Sequence, residues 1–232
     1  QSRDDLGHPI FGWLAINRGP INRRAPGGQS DLGKSLGLSL LISLTVASIA
    51  TISGFFTSKW IAQSTNRSNW LLIAYFPYVL SPVIYAACVY YYFIVLGLSG
   101  NVWGVMLGQT MIAFPFAVIL FGEYWNARLQ SMEHLVYTLG GNARQALWQI
   151  LIPLSKGMLL VCFFQTFLIS WFEYGLTTLL GVGKVQTLTV RVFVYINEAN
   201  PFLAAMAGVL LCVPPLILLW INKRFVFQPQ SS

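Results

Sequence analysis

The chain has 232 residues and a formal net charge of +7, with 56% hydrophobic and only 9% charged residues. Water-soluble domains carry roughly a quarter charged residues, so this composition excludes an ordinary globular enzyme and indicates an integral membrane protein. The basic excess does not point to nucleic acid, because Lys and Arg are scattered between apolar runs and form no stripe. Anionic headgroups and the inward bias of cations in membrane proteins account for it.

In chain order, residues 1–35 come first and differ from the rest: Pro, Gly, Asn and Arg dominate, and the apolar piece FGWLAI is far too short to span. They are expected to form a periplasmic or interfacial N-terminal segment, with residues 36–232 as the transmembrane domain. A spanning helix needs about 20 predominantly apolar residues. Five windows qualify, at roughly 36–58, 70–97, 103–122, 154–176 and 201–222, and strand-like alternation is absent from all of them. The fold class is therefore an all-α integral membrane bundle of five visible transmembrane helices.

Pro77 and Pro82 in the second window, Pro115 in the third, and Pro214 with Pro215 in the fifth are expected to bend their helices. Small residues recur in the first window (Ser39, Ser43, Ala47, Ala50, Gly54) and the last (Ala204, Ala205, Ala207, Gly208), as close helix packing in lipid requires. Cys88, Cys162 and Cys212 lie in separate apolar runs without metal-like spacing and read as core residues.

Orientation follows from the cations. With 125–153 on the cytoplasmic side, that side holds Lys59, Arg67, Arg128, Arg144, Lys156, Lys223 and Arg224, against Lys184 and Arg191 in the outer connections beyond it. The arrangement leaves Arg3, Arg18, Arg23, Arg24 and Lys34 outside. A sixth, N-terminal span ahead of Gln1 would resolve that conflict.

The segment EHLVYTLGGNARQALWQILIP, from Glu133 to Pro153, is polar and Gly-broken between two apolar runs. Glu133 to Leu139 reads as a short helix, Gly140 and Gly141 permit a backbone reversal, and Asn142 caps a second helix running to about Leu151. On that helix Ala143, Leu147 and Ile150 fall on one apolar face, whereas Arg144, Gln145 and Gln149 are polar. Pro153 marks entry to the next span.

This pattern resembles the EAA loop of permease subunits of type I binding-protein-dependent ABC importers: Glu-Ala-Ala, three residues, Gly, nine residues, Ile, one residue, Leu-Pro. Anchored on Gly140, nine residues from Gly141 to Gln149 precede Ile150, Leu151, Ile152 and Pro153, so the Gly and Ile-x-x-Pro spacing is matched with Ile152 in place of Leu. Upstream the pattern departs, because His134, Leu135 and Val136 occupy the Glu-Ala-Ala positions and the acid, Glu133, is one residue early. The stretch from Gly157 through Gly175 into QTLTVRVFVYI is similar to the following part of those permeases, so the resemblance covers roughly 30–225. Within the family it is nearest the branch that handles polyamines, iron and thiamine.

The resemblance implies a multi-pass protein of the bacterial inner membrane, paired with a second permease subunit, the same or homologous. Two cytoplasmic ATPase subunits that bind ATP and Mg and an external solute-binding protein complete the implied complex, and no cofactor is implied in this chain. Its coupling residues would be Glu133, His134, Gly140, Gly141, Arg144, Leu147, Ile150 and Pro153. Half of a secondary transporter, or less closely a membrane-embedded enzyme, are the alternatives.

Other signals are weaker. GVGK ends like a P-loop, but Thr178 stands where Walker A needs Gly and Val185 follows Lys184, so the chain is not expected to bind ATP itself. His8 and His134 share no ligand-like spacing, and no nucleophile and base constellation marks catalysis or a metal site. Glu123 and Arg128 flank the inner end of the third window as solvated anchors. Glu173, with Ser170 and Tyr174, is the candidate substrate path: an acid near membrane depth either lines a path for a cationic solute or anchors the span beside an aromatic belt.

Overall fold

The computed structural model describes residues 28–79, 81–125 and 127–226, and among them every regular element is helical. Residues 1–27, including His8 and the N-terminal arginines, lie outside the described residues, as do the side chains of Arg128 and Arg224. The elements are α1 (Gly28–Ala62), α2 (Arg67–Val79), α3 (Pro82–Val95), α4 (Val102–Tyr124) and α5 (Ala127–Thr138). After them come α6 (Ala143–Leu154), α7 (Lys156–Trp171), α8 (Gly175–Gly181), α9 (Leu188–Asn197) and α10 (Pro201–Val226).

Among the described residues three helices, α1, α4 and α10, are long and apolar enough to cross a bilayer singly. The other two apolar windows are interrupted. The run 70–97 divides into α2 and α3, and Pro82 begins the second piece because its ring fixes φ and its missing N–H is harmless in a first turn. The run 154–176 becomes α7, which ends at Trp171 and is bent by 69° from α6. The boundary expected at 35/36 also falls inside a helix, since α1 begins at Gly28 and already buries Leu32 and Ser35.

Helix α1 is the axis of the bundle. Its buried positions Leu32, Ser35, Ser39, Ile42, Val46, Ala50, Gly54, Ser58 and Ile61 recur every three or four residues, which keeps one stripe of a long helix inside. That stripe enters three apolar clusters. Ile42, Val46 and Ala50 pack with Ala86, Phe93, Val105, Ala113, Leu176 and Leu180. Leu32 and Ala47 join Phe167, Trp171, Leu188, Tyr195 and Ala207, while Phe55 joins Ala117, Phe121, Trp125, Leu129, Leu151 and Cys162.

The small residues of α1 act as expected: a Cβ on Gly54 would lie 2.5 Å from Ala117 Cβ and 3.1 Å from its carbonyl carbon, so α1 and α4 touch backbone to backbone. On α10 only part of that expectation holds, since Ala207 is buried but Gly208 faces open space. Of the three cysteines only Cys162 is core; Cys88 and Cys212 are exposed, against the expectation from their apolar runs. In a membrane helix an apolar flank faces lipid or a neighbour as readily as a core.

Proline breaks are repaired locally. Pro215 cannot donate to the carbonyl of Leu211, and the indole Nε1 of Trp171 donates to that oxygen instead, at 2.9 Å. This ties the end of α7 to the middle of α10.

Candidate coupling loop and buried polar path

Helix α5 ends in a Schellman motif. Gly140 has φ +80°, its N–H donates to Tyr137 O at 3.1 Å, and the Gly141 N–H reaches back to Val136 O at 2.9 Å. A Cβ on Gly141 would lie 2.5 Å from Val136 Cγ1, so the second glycine is set by close approach and the first by dihedral angle. Asn142 then opens α6, and Gln145 Oε1 accepts from the Asn142 N–H at 2.9 Å, as in a capping box. The reversal expected at Gly140 and Gly141 is present. G140V should strain this turn by ~1–3 kcal/mol, since a β-branched residue resists positive φ. G140N should be milder, because Asn visits that region. The exchange rates of amides 137–145 in the two variants check the order.

The face of α6 differs from the expected one. Residues Ala146–Leu151 form a π-helical turn, so its buried positions are Ala146 and Leu151 and not the series 143, 147, 150. A π turn carries more than four residues per turn, which displaces any face read at α-helical spacing. Leu147 and Ile150 are half-buried, and Leu147 packs on the cluster of Phe55, Phe121 and Leu151. Ala143, Arg144 and Pro153 are exposed, as is Trp148 at 62% and, at the tip, Leu139 at 81%.

Glu133 also turns inward. Its Oε1 accepts from Lys59 Nζ at 2.8 Å and from Tyr137 OH at 2.9 Å, and its side chain is 8% exposed. The hydrogen bond to the Glu133 carboxylate raises the Tyr137 pKa, because it holds the phenolic proton, with burial and the negative charge acting the same way. His134 is exposed, its ring edge-on to Tyr137.

At the other end of α7 the candidate path residues separate. Ser170 is buried and donates to Gln109 Oε1 at 2.5 Å with its Oγ 3.2 Å from Ser43 Oγ, while Gln109 Nε2 donates to Thr177 Oγ1 at 2.8 Å and Thr177 Oγ1 to the Glu173 carbonyl at 3.2 Å. Glu173 is half-buried and its Oε1 accepts from the Leu176 N–H at 2.9 Å, so the carboxylate caps the first turn of α8. Neither expectation for Glu173 contained that role. Tyr174 does not join the chain of hydroxyls; its ring stacks on Phe193 with centroids 4.1 Å apart. E173A should lower stability by ~0.5–2 kcal/mol through loss of the cap, whereas E173Q keeps an acceptor and should lose less. Thermal unfolding in detergent separates the two.

Sequence reasoning missed Lys59, Ser43, Gln109, Thr177, Gln145 and Trp148. Two of these carried a signal: Gln145 stands three residues after Asn142, the capping-box spacing, and Gln109 is an amide inside an apolar window, where a polar group needs a partner.

These features define a helical membrane protein with a polar loop exposed at one end of the bundle. No family model matches the chain. It is similar to the probable ABC transporter permease protein YurM of Bacillus subtilis (strain 168), at 21% identity over 194 residues, 79% of this chain and 65% of that protein. It is also similar to the inner membrane ABC transporter permease protein YnjC of Escherichia coli (strain K12), at 26% identity over 182 residues, 77% of this chain and 35% of that protein. The chain thus spans less than two thirds of the length of either relative. Both relatives carry the name of ABC transporter permeases, and among the described residues three helices, or four if the bent pair is one span, are long and apolar enough to cross a membrane.

Proposed function

We propose that the chain is a permease subunit of a binding-protein-dependent ABC importer, in which α5 and α6 form the coupling loop for a cytoplasmic ATPase. The observation that carries this reading is the surface of that loop: on either side of a Schellman turn at Gly140, Leu139, Ala143, Arg144 and Trp148 are all exposed, an apolar and basic set within ten residues. Large apolar side chains surrounded by polar ones, outside any apolar span, mark a protein contact. Trp and Arg are the types that most often anchor one.

On this reading ATP binding and hydrolysis, with its Mg, occur in two partner ATPase subunits, and the chain itself is not catalytic. The apolar face of α10, with Val209, Leu216 and Ile217 exposed, is left for lipid and a second permease subunit. An external binding protein delivers the solute, access to which alternates between the two membrane faces. The buried hydroxyl and amide chain from Ser43 to Thr177 holds α8 to α1 and α4, beside that route. The polyamine, iron and thiamine branch supplies the solute class to try first.

The test is purification of the native complex from membranes, with identification of every copurifying chain and assay of ATP-dependent uptake in proteoliposomes. An ATPase and a solute-binding protein in stoichiometric amounts are expected. A complex lacking any ATPase, with uptake driven by an ion gradient, would overturn the reading in favour of a secondary transporter.

A further inference from the structure

Helix α1 carries polar bonds at two well-separated positions, to two different segments. At the loop end, Lys59 donates to Glu133 of α5 at 2.8 Å, and the neighbouring Ser58 Oγ accepts from Trp125 Nε1 at 2.9 Å, just ahead of α5. Further toward the helix N-terminus, Ser39 Oγ accepts from the Leu188 N–H at 2.7 Å, in the first turn of α9. That N–H is one of the donors a helix start leaves without an intrahelical acceptor. Between these points α1 is a continuous helix without proline, and at 1.5 Å per residue the distance from Ser39 to Lys59 is about 30 Å, the thickness of a bilayer core.

We propose that α1 is a strut carrying movement of the α5–α6 loop to α9, with Lys59 and Glu133 as positioning residues at the driven end and Ser39 at the responding end. The proposal rests on the reading of α5–α6 as the loop that an ATPase moves. Three observations carry it further than packing alone. Glu133 is the acid of the loop, yet it is buried against α1 and accepts two donors on one oxygen, so it does not face an outside partner. A buried ion pair resists separation, because either partner left alone is an uncompensated charge, so loop and helix end move together. Along the way Ser43 Oγ lies 3.2 Å from Ser170 Oγ and Thr51 Oγ1 3.3 Å from Thr166 Oγ1, Ser170 and Thr166 being on α7, so α7 is held to the strut at two depths. Loop motion thus reaches α9 through bonds of fixed length and not through deformable lipid-facing contacts.

The test needs no knowledge of the solute. In the complete complex with ATPase subunits, Cys88 and Cys212 are replaced by Ser and a single reporter, I196C, is placed on the exposed side of α9. Its labelling by a membrane-impermeant maleimide is timed without nucleotide and with ATP and vanadate. The strut predicts that nucleotide changes the rate. In K59M, E133Q and S39A that change should shrink by about twofold to thirtyfold, the range single positions along a coupled path carry, with the ATPase still bound. The charge swap K59E with E133K should restore most of it. A nucleotide-dependent change that is absent in the parent, or that persists unaltered in E133Q and S39A with ATPase bound, overturns the strut while leaving the loop reading intact. A parent complex that holds no ATPase overturns the loop reading, and the strut with it. Should E133Q fail to assemble, S39A at the other end carries the decision alone.

Discussion

L147D is expected to unfold the α5–α6 loop, whereas W148D, one residue on, should leave the loop folded and release the ATPase. Leu147 packs on the cluster of Phe55, Phe121, Trp125 and Leu151, so an aspartate there must be dragged into water or stay unpaired in an apolar setting, at several kcal/mol (~3 or more). Trp148 is 62% exposed, so its loss should cost the folded chain far less than a charge at Leu147. If that exposed set is a docking surface, truncation of its Trp should weaken the contact by ~2 kcal/mol or more, enough to lose the ATPase on purification. Thermal unfolding and ATPase copurification, measured on both variants, check the split. An L147D chain with wild-type stability, or a W148D chain with full ATPase content, would refute the facing seen at the π turn.

G54L should produce a large loss of stability by forcing α1 and α4 apart. A Cβ alone would stand 2.5 Å from Ala117 Cβ and 3.1 to 3.2 Å from backbone atoms of Ala117 and Val118, and backbone of a long helix cannot rotate away as a side chain would. Overpacking a filled core costs ~1–3 kcal/mol even where side chains can adjust, so separating α1 from α4 should reach or exceed the upper figure. G33L, on the same helix where nothing lies within 4 Å, is the control and should be tolerated. Yield of monodisperse protein and its thermal midpoint in detergent read the difference, and equal behaviour of the two would mean that α1 and α4 do not touch at Gly54.

Periodicity and apolar length by themselves determined that the chain is helical and built to live in a bilayer, since both are properties of contiguous residues. The Gly140 reversal was equally legible, because φ +80° is a local requirement that glycine meets. The break before Pro82 was not read so: a proline expected to bend one span over 70–97 instead starts a second helix. What the chain could not disclose in linear order is which partner a polar group finds. Glu133 found Lys59, 74 residues earlier, and Ser170 found Ser43 and Gln109. Leu147 packs inward for a related reason: α6 widens into a π turn against Phe55 and Phe121, and spacing at 3.6 residues cannot foresee a change of pitch imposed by what the helix packs on. Each of these was decided by tertiary contact, because in a low-dielectric interior a buried polar or charged group takes whichever partner the fold brings within 3 Å or so, and sequence distance has no part in that choice.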